Sequence, residues 1–367
     1  GAFDIYHQAV ESYKNNLKTP VRQCDLSNGT DVGQQLKGID VIIAGPPCQG
    51  FSTAGKRDPM DPRNALLLAA GRIALKARPT VFIAENVPGS ITGEHKRYWC
   101  SLRRMLRAAG YRTVELLCQA TEMGVPQIRN RVVMLAWRNG KDISVQIPLV
   151  PGGVLRPALS NLTGLPNHDP KPLTKESPLM LIAGRIGPNQ KLSNARGGPR
   201  SIHTWHIPEV YGTTTKAERN VLDALLKLRR QDRIRSFGDA DPVSVATLQE
   251  YLGKPVRGIL LDLERKGYVR RKGRLFDLTH TFNGKFRRLS WDLPSPTVDT
   301  RFGDPRYFLH PSEDRGLTVR EAARIQGFPD WFTFDGPERS QYYLVGNAVP
   351  PPLANCLAAF IRSSILN

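Results

Sequence analysis

IDVIIAGPPCQGFS, residues 39–52, runs a short apolar segment into two prolines and a cysteine. A brief, continuous apolar run is the pattern of a strand buried on both faces of a sheet. Pro46 and Pro47 end it, since a proline ring fixes its own backbone and offers no hydrogen-bond donor. Cys48 then stands just past the carboxyl end of a strand, where open α/β sheets hold their ligands. A free cysteine taken alone is a small buried hydrophobe. Its neighbours decide whether it is there for chemistry.

Outward from that stretch, helix-like and strand-like segments alternate through residues 1–138. AFDIYHQAVESYKNN opens as a strand end and becomes an amphipathic helix. NALLLAAGRIALKA (64–77) reads as a helix and TVFIAENV (80–87) as a second buried strand. YWCSLRRMLRAAG (98–110) is a helix closed by Gly110, and TVELLCQAT and RVVMLAW (131–137) are further strands. The alternation predicts a first domain, 1–138, built as an α/β sheet with helices on its faces.

From 139 to about 212, Pro, Gly and Asn are frequent and periodicity fades, as in loop-rich surface structure. Order returns over 216–279. KAERNVLDALLKLRR, SVATLQEYLG and PVRGILLDLERKG read as three helices, and YVRRKGRLFDLT as two short strands around Lys272-Gly273. Helix, helix, helix, hairpin is the order of a winged helix-turn-helix, with Arg270, Arg271, Lys272 and Arg274 making its wing basic. A second, smaller domain over 139–285 is therefore expected to bind DNA. The blander reading is a helical module used for packing or protein contact. Residues 286–367 are expected to return to the first domain and end in a helix begun near the proline run at 350–352.

The 367 residues include 52 Lys and Arg against 33 Asp and Glu, a formal charge of +19. That excess calls for a polyanionic partner, and nucleic acid comes first because phosphate neutralisation dominates its affinity. An anionic membrane surface is the rival. However, no stretch approaches the roughly 20 apolar residues of a spanning helix, and no signal-peptide pattern opens the chain. Five scattered cysteines without a CxxC pair point to a reducing, cytoplasmic setting and away from structural zinc or any other metal.

Two features give Cys48 chemical company. The polar loop STAGKRDPMDPRN (52–64) follows it and is able to close over a ligand. The strand TVFIAENV ends in Glu85-Asn86-Val87, which sets a carboxyl group at the same rim of the sheet. A thiolate nucleophile beside a proton-sharing carboxyl is a recognisable pair. Without the cysteine, Glu85 would read as a solvated strand-end acid.

At this point the chain resembles one family, the cytosine-C5 DNA methyltransferases. GPPCQGFS is similar to the family's nucleophile loop, Glu85-Asn86-Val87 to its ENV motif and QIRNR (127–131) to its Q-x-R-x-R motif. RRLSWDLPSPTVDT (287–300) resembles the segment after the target-recognition region, and GNAVPPPLA (346–354) the closing motif, all in family order. The resemblance implies a Rossmann-like S-adenosylmethionine-dependent methyltransferase sheet and a recognition domain between QIRNR and RRLS. It also implies a reaction in which the Cys48 thiolate attacks C6 of cytosine and so activates C5 for methylation. Glu85 would hold N3 and the exocyclic amine, while Arg131 and Arg129 would bind the base or its phosphate neighbours. The methyl group would come from S-adenosyl-L-methionine. Such a base must be flipped out of double-stranded DNA.

By the same resemblance, Asp4 and Ile5, Asp25 and Leu26, Gly45, Pro47, Leu66, Asn347 and Ala348 are expected around the cofactor. Gln49, Ser52, Lys56, Arg57, Arg63 and Thr297 are expected to join the wing in contacting DNA. Read alone, Asp25 is a turn residue and Asn347 a helix cap. A monomer on duplex DNA in a restriction-modification setting is the implied context. One departure stands out, since the family's F-x-G-x-G segment is not found in this chain. The expectation is that a preceding segment or a separate polypeptide supplies it, and that this chain binds cofactor weakly. The rivals are the family's tRNA-methylating branch and a DNA-binding protein that has lost catalysis. The long basic insertion argues against the first, and intact Cys48, Glu85, Arg129 and Arg131 against the second.

Overall fold

Apolar periodicity becomes alternating strand and helix in the computed structural model. It describes residues 1–27, 30–47, 58, 60–138, 140, 142–194, 198–231 and 241–366. Strand β1 (Ala2–Asp4), helix α1 (His7–Asn16) and strand β2 (Val21–Gln23) come first, and β1 and β2 pair in parallel. Helix α2 (Thr30–Gln35), strand β3 (Val41–Ala44), helix α3 (Leu66–Ala77) and strand β4 (Val81–Asn86) follow. Helix α4 (Lys96–Ala108) then leads to strands β5 (Arg112–Gln119) and β6 (Asn130–Trp137). The larger sheet has the order β3-β4-β6-β5, with β3 and β4 parallel and β6 antiparallel to both its neighbours.

Strand β4 is buried on both faces, which explains its unbroken apolar sequence. Phe82 and Ala84 pack with Leu67, Trp99, Leu102 and Leu106 of α3 and α4. Val81 and Ile83 face the other way, against the C-terminal helix. Strand β3 differs from the sequence expectation, because Ile43 is 72% exposed. Among the described residues β3 is hydrogen-bonded along one edge only, to β4, and burial on both faces needs neighbours on both sides.

Contacts divide the chain into two units, Gly1–His168 with Asp292–Thr300 and Val319–Asn367, and Asp169–Trp291 with Arg301–Thr318. The compositional change at 139 thus falls inside the first unit. The reason is visible in the packing, where Ile143, Val145 and Ile147 lie against the sheet's core.

In the second unit, helix α5 (Lys216–Gln231), strand β7 (Val243–Ser244), helix α6 (Val245–Leu252) and helix α7 (Arg257–Lys266) are followed by a hairpin, β8 (Val269–Lys272) and β9 (Leu275–Leu278). These strands form an antiparallel sheet in the order β8-β9-β7. Leu222, Leu225, Leu248, Leu260, Leu263 and Tyr268 supply the core, at the helical spacing seen in the sequence. Ser244 caps α6 by accepting from the Thr247 amide, and Gly273 turns the hairpin at φ +62°. Elsewhere in this unit Arg288 is buried and donates to the carbonyls of Ala183, Ile186, His310 and Glu313.

The chain returns to the first unit through helices α8 (Val319–Ile325), α9 (Glu338–Asn347) and α10 (Pro351–Ile361). Contrary to the sequence reading, one helical run among the described residues, Glu338–Leu366, is long and apolar enough to cross a membrane by composition. Its apolar side has another use here, because Leu353, Leu357, Phe360 and Ile361 pack on Val81, Ile83, Val133 and Leu135 of the sheet.

Candidate active site

Residue alternation along β4 and β6 builds the site. Glu85 lies opposite Val133 in the ladder, and Arg131 lies two residues from Val133 on the same face. The two side chains meet diagonally at the end of β4, with Arg131 Nε 2.6 Å from Glu85 Oε1. Arg131 also donates from Nη1 to the Asn130 carbonyl at 2.8 Å, which fixes the guanidinium. The loop bearing the cysteine starts at this same point. A side chain built on Gly45 would come within 4.0 Å of Glu85 Oε2. The buried Asn86 donates from Nδ2 to the Pro46 carbonyl at 3.3 Å. The strand-end amide therefore holds the first residues of GPPCQGFS beside the carboxyl. Cys48 itself lies outside the described residues, as do Gln49, Ser52, Lys56 and Arg57.

Burial pushes the Glu85 carboxyl above its ordinary range, while the charges of Arg131 and Arg129 pull the other way. The net effect is a carboxyl that keeps its proton to higher pH than a solvated glutamate. Cys118 pairs with Arg131 in the β5–β6 ladder. Its thiol is pushed up to about 11, by burial first and then by the nearby Glu85 charge, so it is no rival nucleophile.

Arg129 departs from its expected place beside the base. It is 1% exposed. Its guanidinium donates to the carbonyls of Val298, Gly346 and Ala348, each at 2.9 Å. It fastens the closing motif GNAVPPPLA to the start of β6. The spacing in QIRNR gave no hint of this, because residues 129 and 131 differ in partners that lie far away in sequence. Thr297 is exposed, and its hydroxyl donates to the Ile128 carbonyl at 2.7 Å, which joins the PSPT segment to the same strand.

The expected cofactor residues fall at strand ends and helix ends. Asp4 closes β1, Ile5 beside it is 63% exposed, and the Asp4 carboxylate accepts from the Tyr6 amide at 2.8 Å. Asp25 follows β2, and its carboxylate is held low by hydrogen bonds from Ser27. Because β1 and β2 are parallel neighbours, these two acids emerge from adjacent strands. Leu26 is half-buried beside Asp25, and Leu66 half-buried at the start of α3. Pro47 is half-buried, Asn347 is exposed at the last turn of α9, and Ala348 is half-buried after it.

The basic side chains expected on DNA differ in freedom. Arg63 is clasped by Asp61, with Nη2 to Oδ2 at 2.6 Å. In the hairpin, Arg270 reaches Asp277 at 2.9 Å and Arg271 reaches Glu264 at 2.6 Å. Lys272 and Arg274 stand exposed at the turn. Three or more His, Cys, Asp or Glu placed to hold a metal do not occur together among the described residues.

An α/β sheet with a carboxyl–guanidinium pair at a strand end, beside the first residues of a cysteine-bearing segment, is an arrangement suited to group transfer. The comparisons narrow that class. The model of the C-5 cytosine-specific DNA methylases matches residues 1–363, and this chain belongs to that family. The Type II methyltransferase M.AgeI of Thalassovita gelatinovora is 30% identical over 97% of this chain and 92% of its own. M.NlaIV of Neisseria lactamica is 29% identical, over 97% of this chain and 90% of its own. A DNA modification methyltransferase encoded within an E. coli prophage has a similar solved structure, with TM-score 0.58, 21% identity and coverage of 100% of this chain and 92% of that one. Dnmt2 methyltransferase of S. pombe gives TM-score 0.51 at 17% identity, covering 98% and 90%. These structures support the α/β fold. The chain is a DNA (cytosine-5-)-methyltransferase.

Proposed function

We propose that this enzyme transfers a methyl group from S-adenosyl-L-methionine to C5 of a flipped-out cytosine in a specific duplex sequence, as the modification half of a restriction-modification pair. The observation that supports it most is the Glu85–Arg131 pair at 2.6 Å, set where the GPPCQGFS loop begins. In this reading the Cys48 thiolate attacks C6, and a proton on Glu85 hydrogen-bonds N3 so that charge does not accumulate on the ring. Arg131 keeps the carboxyl aimed and contacts the base. Loss of the C5 proton then expels the thiolate.

The residues at the strand ends suit the cofactor. Asp4 and Asp25 present exposed carboxylates from adjacent parallel strands, acceptors for ribose hydroxyls and an adenine amine. Asn347 and Ala348 would lie at the methionine end. When bound, S-adenosylmethionine supplies an electrophilic methyl group. Residues 216–279, with helices α5, α6 and α7 followed by the β8–β9 hairpin, would act as a winged-helix-like reader with Lys272 and Arg274 on phosphates. The protein would work as a monomer on DNA in the cytoplasm.

Duplexes carrying 5-fluorocytosine, incubated with the enzyme and S-adenosylmethionine, test this directly. Fluorine blocks the final elimination, so a covalent protein–DNA band on a denaturing gel is expected and should vanish in Cys48→Ser. A band that persists in Cys48→Ser, or methylated cytosine in ordinary DNA made by that variant, would refute the assignment.

A further inference from the structure

The segment 127–131 has two jobs divided by partner. Arg131 faces Glu85, while Gln127 and Arg129 point into a buried polar ring that no motif reading anticipated. Gln127, Arg129 and Gln326 are 0%, 1% and 0% exposed. Gln127 Nε2 donates to Gln326 Oε1 at 2.8 Å. Gln326 Nε2 donates onward to the carbonyls of Val345 at 2.7 Å and Ala348 at 3.3 Å. Arg129 reaches the same Ala348 carbonyl from the other side, together with those of Gly346 and Val298. The Val298 amide closes the circuit by donating to Gln127 Oε1 at 2.8 Å. Four chain segments are thereby joined through three side chains.

The ring holds one short piece of backbone, the final turn of α9 at 345–348. Asn347 within it is exposed, whereas the carbonyls of Val345, Gly346 and Ala348 are all held from behind. There is no slack at its base either. A side chain on Gly346 would come within 2.6 Å of the Asp299 and Thr300 backbone. A buried amide with both ends engaged cannot rotate or leave without stranding polar groups, so the ring has one arrangement.

We propose that Gln326 is a positioning residue for cofactor binding, acting through the turn 345–348 whose exposed Asn347 meets the methionine end of S-adenosylmethionine. Gln326 touches neither substrate. It sets the turn against Gln127 and Arg129, and so against the strand that presents Arg131 to the base. This rests on the cofactor reading above, and the test separates the two.

Gln326→Leu removes all three contacts at similar volume. Gln326→Glu keeps an acceptor for Gln127 but sets a carboxyl oxygen against the carbonyls of Val345 and Ala348, so Gln326→Met, which buries no new charge, is the fallback if the leucine variant melts below assay temperature. Cofactor affinity is measured by calorimetry, KM for S-adenosylmethionine and kcat by labelled methyl transfer to cytosine duplexes, and DNA affinity by anisotropy. A misplaced turn should raise the cofactor Kd and KM about tenfold while kcat at saturating cofactor stays within about threefold. DNA affinity should be unchanged. Gln127→Leu combined with Gln326→Leu should be little worse than either alone, since each opens the same ring. Folded variants with unaltered cofactor Kd and KM would overturn the proposal. So would a parallel loss of kcat, cofactor affinity, DNA affinity and melting temperature, which is the mark of a merely structural residue. If the unaltered chain binds S-adenosylmethionine but the variants match it, positioning alone fails. If Asn347→Ala leaves the cofactor Kd and KM of the unaltered chain unchanged, the cofactor reading of this segment fails and this proposal falls with it.

Discussion

Removing the carboxylate of Asp277 should unfold the second unit well before the first. Asp277 is 1% exposed on strand β9. It faces Arg229 Nη2 at 2.9 Å, Arg270 Nη2 at 2.9 Å and His280 Nε2 at 3.3 Å. Burial by itself would raise its pKa. The hydrogen bond from His280, the charge of Arg229 and the hydrogen bond from Arg270 outweigh that, and bring it from 3.8 to about 2. A depressed carboxyl stabilises the fold above its unfolded value and loses that contribution as pH falls through the folded one. The window is therefore about pH 4 down to about 2, and the contribution about 2 kcal/mol. Truncation costs more than neutralisation, because Arg229 is itself fully buried and would keep its charge without this counter-ion. Breaking such a pair costs about 3–5 kcal/mol. For a unit of this size that is a fall in melting temperature on the order of 10 °C.

Thermal unfolding of Asp277→Ala and Asp277→Asn by circular dichroism, from pH 7 to pH 2, measures this. Asn should lie between wild type and Ala, since it retains an acceptor but no charge. Both variants should lose the part of the acid-induced destabilisation that Asp277 contributes. A melting temperature for Asp277→Ala within about 2 °C of wild type at pH 7, with an unchanged acid profile, would show that the pair does not hold this unit together.

Other expectations follow from the same geometry. Arg129→Met should destabilise the first unit by at least about 3 kcal/mol, having lost three buried carbonyl contacts. Arg131→Met should melt near wild type yet lose methylation, because Glu85 can take up a proton; differential scanning calorimetry beside a methyl-transfer assay separates them. Glu85→Gln should lower kcat by about 10²–10⁴. The wild-type rate should decline as pH rises past the elevated Glu85 pKa, so a rate still climbing through that range would count against a protonated Glu85. Gly346→Ala should cost about 1–3 kcal/mol from overpacking against Asp299 and Thr300, read by chemical denaturation. Lys272→Ala and Arg274→Ala should each reduce the salt dependence of DNA binding by about one charge; identical slopes in anisotropy titrations would remove the hairpin turn from the interface.

Local pattern in the sequence reached a long way. The alternation of strands and helices through residue 138 follows from residue periodicity, which neighbouring residues alone determine. Glu85 and the Cys48 loop were placed at one rim by the order of strand, helix and strand. The three helices and hairpin of 216–278 were legible from helical spacing and from Lys272-Gly273. What periodicity cannot carry is the identity of partners far along the chain. Arg129 and Arg131 look equivalent in QIRNR, yet one is a buried fastener for residues 298, 346 and 348 and the other faces Glu85. Arg270 and Arg271 look like free wing charges until Asp277 and Glu264 are folded against them. Ile43 reads as core, but its exposure depends on which strands pair with β3. Gln326 carried no signal at all, because its meaning lies in a ring closed by residues from four separate segments. The sequence determined the elements and the chemistry within reach of each strand end; tertiary contact decided which polar side chains act on a substrate and which hold the backbone in place, since a hydrogen bond's worth is set by its partner and its burial.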